Sequence, residues 1–396
     1  MNYISYKLAY FFNYFPSLSM SVIFTPIFVQ PRYFWLIFIL VLGLPKIKKN
    51  PVTRLAIFLI IVSVMVPLLG YFFGRGFSLL DFAMIINWIY LLLFSSLVFN
   101  NINLFNKFIK FFLWGNIIYS IAQILMVNFG YAQFSMIHSN VPYHVDFGYE
   151  IAASYVDWLP RYSGFFIESG PLTLFLIISY LYIIQQKEVF SGTLKFLVLL
   201  TILFSQSKFL LVFIPIYLFE LFLIGKFRTT YNILIRPINF MLLFALSLAL
   251  VTILFFTSDI HIFLSQNFSA YQLRLNDLLS SIDNLSNINF FGSMLQGTNY
   301  DASDGNIAIA GLDIVSILIS GYGVFVGVTI LVLLFNYVVR SRIYFKYTYV
   351  FILLLAFVAS GSLLVPHYTF LIIFCYIIDQ SMRQKVVIGK RDLMTR

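Results

Sequence analysis

The sequence predicts an all-α polytopic membrane protein of about twelve transmembrane helices, with both termini cytoplasmic and two large extracytoplasmic loops. Three observations predict it: too little charge for a water-covered surface, apolar runs of span length, and Lys and Arg gathered in alternate loops. Only 10% of the 396 residues are charged, 61% are hydrophobic, and mean hydropathy is +0.93. An ordinary soluble domain carries about 25% charged residues, and so few charges could not cover a surface of this size. Lipid is the solvent in which apolar surface costs nothing. No internal repeat, low-complexity tract or soluble domain interrupts the chain, so residues 1–396 read as one integral membrane domain.

The apolar runs, in order, are 9–29, 33–44, 54–73, 80–99, 108–128, 169–185, 193–204, 209–224, 238–257, 306–338, 345–361 and 364–379. A straight span needs ~20 residues, and 33–44 and 193–204 fall short. The latter, followed by Ser205-Gln206-Ser207-Lys208, reads either as its own span or as half of one broken helix. The first run lacks a small-residue cleavage pattern and reads as a span, not a removed signal. The 47 Phe and 26 Tyr suit lipid-facing bulk and interfacial belts.

Charge sets the orientation. With the N-terminus inside, the inner set is Lys7, Lys46, Lys48, Lys49, Arg54, Lys107, Lys110, Lys187, Lys195, Lys226, Arg228, Arg236, Arg340, Arg342, Lys346, Arg383, Lys385, Lys390, Arg391 and Arg396. That is 20 of the 25 cations, as the positive-inside rule requires. The net charge of +10 therefore reports topology. It is scattered between apolar runs, which excludes a nucleic-acid footprint. The single Cys375 lies in an apolar run, which leaves no disulfide framework or thiolate metal site.

Two outer loops are long, at 129–168 and 258–305, and polar groups able to do chemistry concentrate there. The first contains Pro142, Trp158, Pro160 and many Tyr, a composition for partly folded interfacial structure. The second contains Tyr271–Leu279, spaced as a short amphipathic helix on the membrane face.

The five outer cations need reasons. Arg32 and Arg75 sit at span ends, where snorkelling explains them. Arg161 lies in Pro160-Arg161-Tyr162-Ser163-Gly164-Phe165-Phe166-Ile167-Glu168-Ser169-Gly170-Pro171, just before a span that starts with Pro in its first turn. Arg161 and Glu168 can converge at the helix mouth, either as a structural pair or as a site. Lys208 follows Ser205-Gln206-Ser207 between two apolar halves, where an anion cradle and simple snorkelling are both open. Arg274 opens a stretch running through Gly292 and Gly297 to Asp301-Ala302-Ser303-Asp304-Gly305-Asn306. Asp304 is placed for a base at the bilayer surface or for an N-cap. Gly311, Gly321, Gly323 and Gly327 fit close helix packing. His138, His144, His261 and His367 lack metal-ligand spacing, and no Walker loop, dinucleotide fingerprint or nucleophile elbow occurs.

In these motifs the chain resembles the Wzy-type O-antigen and capsule repeat-unit polymerases of the O-antigen ligase/polymerase superfamily. Arg161-Tyr162-Ser163-Gly164-Phe165-Phe166-Ile167-Glu168 is similar to the family's Arg, Ser-Gly, aromatic and Glu ahead of a helix. Ser169 stands where Pro commonly follows the Glu, and the Pro comes later, at Pro171. Ser205-Gln206-Ser207-Lys208 is similar to a Ser-Arg element in a short outer turn. Lys keeps the charge there but loses the bidentate fork. Arg274, Gly292 and Asp304-Gly305-Asn306 are similar to the family's second large loop. The likeness covers about 108–338.

The resemblance implies a glycosyltransferase of the bacterial inner membrane that polymerises undecaprenyl-pyrophosphate-linked glycans, donor and acceptor alike, on its outer side. It implies Arg161, Lys208 and Arg274 on the pyrophosphate, and Glu168 or Asp304 as the base for the acceptor hydroxyl. Glu168 is ahead because capping competes less for it. Ser163, Gly164, Ser205 and Gly292 support them. It implies no metal, nucleotide or other cofactor, because the substrate bond is already activated, and it implies a flippase and a chain-length regulator as partners. Two rivals remain. An O-antigen ligase shares the donor, but family ligases tend to carry a His in the second loop, where this chain offers Asp304 and, further upstream, His261. A lipid-linked oligosaccharide flippase would place charges within spans and show pseudo-repeated halves, whereas here the charges lie in loops.

Overall fold

A computed structural model describes residues 3–12, 20–22, 25–29, 36, 44–72, 79–129, 162, 164, 169–186, 189–205, 207, 209–234, 239, 323–341, 343–359 and 367–394. The helices among them are α1 (Tyr3–Phe12), α2 (Pro51–Phe72), α3 (Leu79–Asn100), α4 (Ile102–Asn128), α5 (Ser169–Gln185) and α6 (Gly192–Phe204). They continue with α7 (Phe209–Lys226), α8 (Arg228–Leu234), α9 (Val324–Arg340), α10 (Lys346–Ala359) and α11 (His367–Met394). One short antiparallel hairpin joins β1 (Met20–Val22) to β2 (Thr25–Val29), pairing Met20 with Val29 and Ser21 with Phe28.

Most helices fall on the expected runs, one reading needs correction, and one that the sequence left open is decided. The 9–29 run is not one helix, since α1 stops at Phe12 and β1 and β2 follow. Hydropathy is blind to Pro16 and Pro26, which cost a helix its donors, and to the β-branched and aromatic residues around Val22–Phe28. The 193–204 and 209–224 runs are two helices that reverse direction. Thr173 of α5 meets Ser205 at the end of α6, while Tyr180 meets Tyr217 of α7 ring to ring and Gly170 meets Phe209. So α6 runs antiparallel to α5, and α7 runs parallel to it. Apart from Leu36, the 33–44 run up to residue 43 lies outside the described residues, as do the 238–257 run (Asn239 excepted) and both long loops, except for residue 129, Tyr162 and Gly164.

Among the described residues two helical stretches, Pro51–Phe72 and Ile102–Leu125, are long and apolar enough to cross a membrane. On α2 the bulky Phe58, Ile61, Met65, Leu68 and Phe72 are exposed, while Thr53, Ala56, Ser63 and Gly70 are buried. Val52, Leu59 and Val66 share that buried face, and the small residues among them let helix backbones approach. Asn50 starts this helix, its Oδ1 accepting from Thr53 N at 2.8 Å, with Pro51 in the first position.

Aromatic rings fill the centre. Phe175 of α5 meets Phe112 of α4 edge-on at 5.0 Å and Phe370 of α11 at 5.1 Å. Tyr182 stacks on Phe374 at 4.2 Å, and its hydroxyl donates to Asn106 Oδ1 at 2.5 Å. Large rigid rings gain beyond their buried area from such offset and edge-on pairs.

The basic segments meet at one end of this bundle. Asn100 Nδ2 donates to Lys46 O and Lys48 Nζ to Phe99 O. Tyr344 N, between Arg340 and Lys346, donates to Gln185 Oε1 at the end of α5, and α7 arrives there with Lys226 in its last turn.

Candidate functional site

The opposite end is built on α4, α5, α6 and α7. On α4, Asn116, Ser120 and Gln123 are all buried. Spaced i, i+4 and i+7, they form one polar stripe on the more apolar second half of the helix. Asn116 Nδ2 donates back to Phe112 O at 2.9 Å, which leaves its Oδ1 turned off the helix. Ser120 Oγ is buried without a hydrogen-bond partner.

Gly164 packs onto this stripe. Its N–H donates to Gln123 Oε1 at 2.9 Å, and its φ of +56° lies in the left-handed region. A Cβ there would stand 2.6 Å from Asn116 Oδ1 and 3.0 Å from Leu172 Cδ1. Only glycine meets both demands, the backbone conformation and the close approach.

Two residues earlier the chain is tied to a different helix. The Tyr162 hydroxyl donates to Thr201 O. This carbonyl lies in the last turn of α6, where the helix runs out of donors. Ser205 N does not serve it, closing instead on Ile202 O at 3.2 Å. Tyr162 is buried, and burial pushes its phenol above the ordinary range, so it remains a neutral donor.

The Ser205-Gln206-Ser207-Lys208 motif does cap chemistry. Ser205 Oγ donates to Ile202 O at 2.7 Å and accepts from Thr173 Oγ1 at 2.8 Å. Ser207 Oγ accepts from Phe209 N at 3.4 Å, and Ser207 O from Leu210 N at 3.0 Å. One serine closes α6 and the other opens α7. Gly170 lets the starts of α5 and α7 approach, since a Cβ there would touch the Phe209 ring at 3.3 Å.

Of the candidate site residues named from the sequence, Gly164 and Ser205 are described, and both belong to this end. Arg161, Ser163, Glu168, Lys208, Arg274, Gly292 and Asp304 lie outside the described residues. The structure brings together the two motifs that carry four of them, through Tyr162–Thr201, Thr173–Ser205 and Gly170–Phe209. Sequence reasoning missed Asn116, Gln123, Thr173 and Thr201. Their signal was present: amides and hydroxyls at helical spacing inside apolar runs mark an inward face. Among the described residues no group of three or more His, Cys, Asp or Glu could hold a metal ion.

A second polar cluster sits at the basic end. Glu220, buried in α7, accepts through Oε1 from the Tyr231 hydroxyl at 2.6 Å and Tyr347 N at 3.0 Å. Through Oε2 it accepts from Thr348 N at 2.9 Å and Thr348 Oγ1 at 2.7 Å. Four donors saturate the carboxylate, and two of them are N–H groups in the first turn of α10, which need acceptors. It is a clamp joining α7, α8 and α10.

No protein-family model, curated protein or solved structure matches this chain.

Proposed function

We propose that the chain is a multi-pass polymerase of a bacterial inner membrane, joining undecaprenyl-pyrophosphate-linked oligosaccharide repeat units into O-antigen or capsular polymer. The convergence of two motifs at the end opposite the basic loops carries this reading: Tyr162 and Gly164 from one, Ser205 and Ser207 from the other. On this reading the basic end faces the cytoplasm and the motif end faces out. Helix α6 has 13 residues and rises about 20 Å, short of the ~30 Å hydrocarbon core. The turn after Ser205 then lies below the outer boundary, where non-helical backbone is tolerated only when protein or a cavity lines it.

The chemistry follows from the charges the two motifs and the second loop bring there. The acceptor sugar hydroxyl attacks the anomeric carbon of the donor glycan. Its proton passes to Glu168 or Asp304, and the bond from that carbon to the phosphate oxygen breaks. Arg161, Lys208 and Arg274 stabilise the charge that develops on the departing lipid pyrophosphate. Grooves between the apolar helices hold the polyprenyl chains.

Arg161→Ala and Arg274→Ala should each abolish polymer while leaving single repeat units and protein level unchanged. Normal polymer from both would sink the site assignment. Surface-polysaccharide gels separate the rivals. Loss of a polymerase leaves one repeat unit on lipid A, and loss of a ligase leaves none. Lengthening of lipid-linked glycans by purified protein in detergent excludes a transporter, because no compartments remain.

A further inference from the structure

We propose that Gln123 is a positioning residue: with Asn116 it forms a seat on α4 that fixes the backbone at Gly164. Three constraints converge on that glycine. Its N–H is held by Gln123 Oε1 at 2.9 Å. The Cα–H bond that a side chain would replace points at Asn116 Oδ1, 2.6 Å from where a Cβ would stand. Its φ of +56° is one that other residues rarely adopt. A donor, a contact and a torsion together determine how the peptide plane is oriented, where a single hydrogen bond would leave it free to swivel.

The chain is held two residues earlier as well. Tyr162 reaches Thr201 of α6, so Tyr162 and Gly164, both buried, form a bridge between α6 and α4. Buried loop backbone needs internal partners for its polar groups. Within this bridge Gln123 supplies the acceptor for Gly164 N–H. Any chemistry done by Arg161 or Glu168 depends on where the bridge sits, so that consequence rests on the polymerase reading, while the seat itself does not.

The test uses purified full-length protein in detergent, with two readouts. In the first, limited trypsin cleavage after Arg161 is timed against cleavage after Lys110, on the exposed side of α4 itself. Gln123→Met keeps the length of the side chain but removes the acceptor, and should speed cleavage at Arg161 by about tenfold while leaving Lys110 unchanged. Gln123→Glu keeps an acceptor oxygen and should return the rate to near wild type. Wild-type cleavage in the Met variant, or equal acceleration at both positions, overturns the seat. The second readout is lengthening of a lipid-linked repeat unit. The Met variant should lose about tenfold in kcat with little change in KM, and the Glu variant should recover it. If cleavage behaves as expected but no form of the protein lengthens anything, the seat stands and the polymerase reading falls.

Discussion

The two ends of the bundle are held by opposite means. At the basic end a single carboxylate, Glu220 of α7, gathers four donors from two other helices, α8 and α10. At the motif end the anchors are neutral and separate: Gln123 to Gly164, Tyr162 to Thr201, Thr173 to Ser205. A saturated carboxylate has no lone pair left for a ligand, and its charge is spent on backbone and hydroxyl donors. A frame of amides and hydroxyls adds no fixed charge, so the potential around it is set by whatever ionisable residues the loops deliver.

The largest effect should come from breaking the charged end. Glu220→Ala leaves two buried N–H groups and two hydroxyls without their acceptor. With roughly 1–3 kcal/mol for each unsatisfied group, a loss of several kcal/mol in stability is expected. Thermal unfolding in detergent and the amount of protein in the membrane would report it. The comparison breaks if Glu220→Ala keeps its melting temperature yet loses polymer, for then the carboxylate is doing chemistry and not clamping.

Gly164→Ala should act the other way round. The strain of a left-handed alanine is about 1–2 kcal/mol, and the added methyl meets Asn116 Oδ1 at 2.6 Å, so the segment must lift from its seat. Because the lift is local, melting should fall by only a few degrees while polymer length on gels collapses. A variant with normal polymer would show that the close approach at Gly164 is dispensable.

How far the sequence went depended on what each signal measures. Hydropathy placed Ser169–Gln185 at its observed ends, because apolar length and a Ser-Gly-Pro start both point there. It began α4 at 108, but the helix starts at Ile102, where Asn101 Oδ1 accepts from Leu104 N at 3.0 Å. Lys107 and Lys110, counted as loop charges, ride on the first turns. Likewise α11 continues past 379 to Met394, since charge ends an apolar run without ending a helix. Hydropathy also missed the hairpin at Met20–Val29, which depends on proline and branching. At the candidate site, the importance of Gly164 was legible from its motif, but its partner was not. Gln123 and Thr201 are each about forty residues away in the chain, and only the packing of α4 and α6 selects them. Glu220 was overlooked because one acid inside an apolar run leaves no trace of the donors it will find.

The smallest effect, and the sharpest comparison of the two ends, is Thr173→Val. The substitution keeps shape and removes one hydroxyl. Ser205 Oγ loses the donor from Thr173 but still donates to Ile202 O at 2.7 Å, so the C-cap of α6 survives and no carbonyl is stranded. A net hydrogen bond of this kind is worth about 0.5–1.5 kcal/mol, and here the lower part of that range applies because the remaining partner stays bonded. Melting should therefore move by a degree or two. Polymer length should shorten modestly, because the turn between α6 and α7 keeps its caps and loses only its tie to α5. If Thr173→Val matches Glu220→Ala in stability loss, the motif end is as tightly held as the basic end, and the contrast between a charged clamp and a neutral frame collapses.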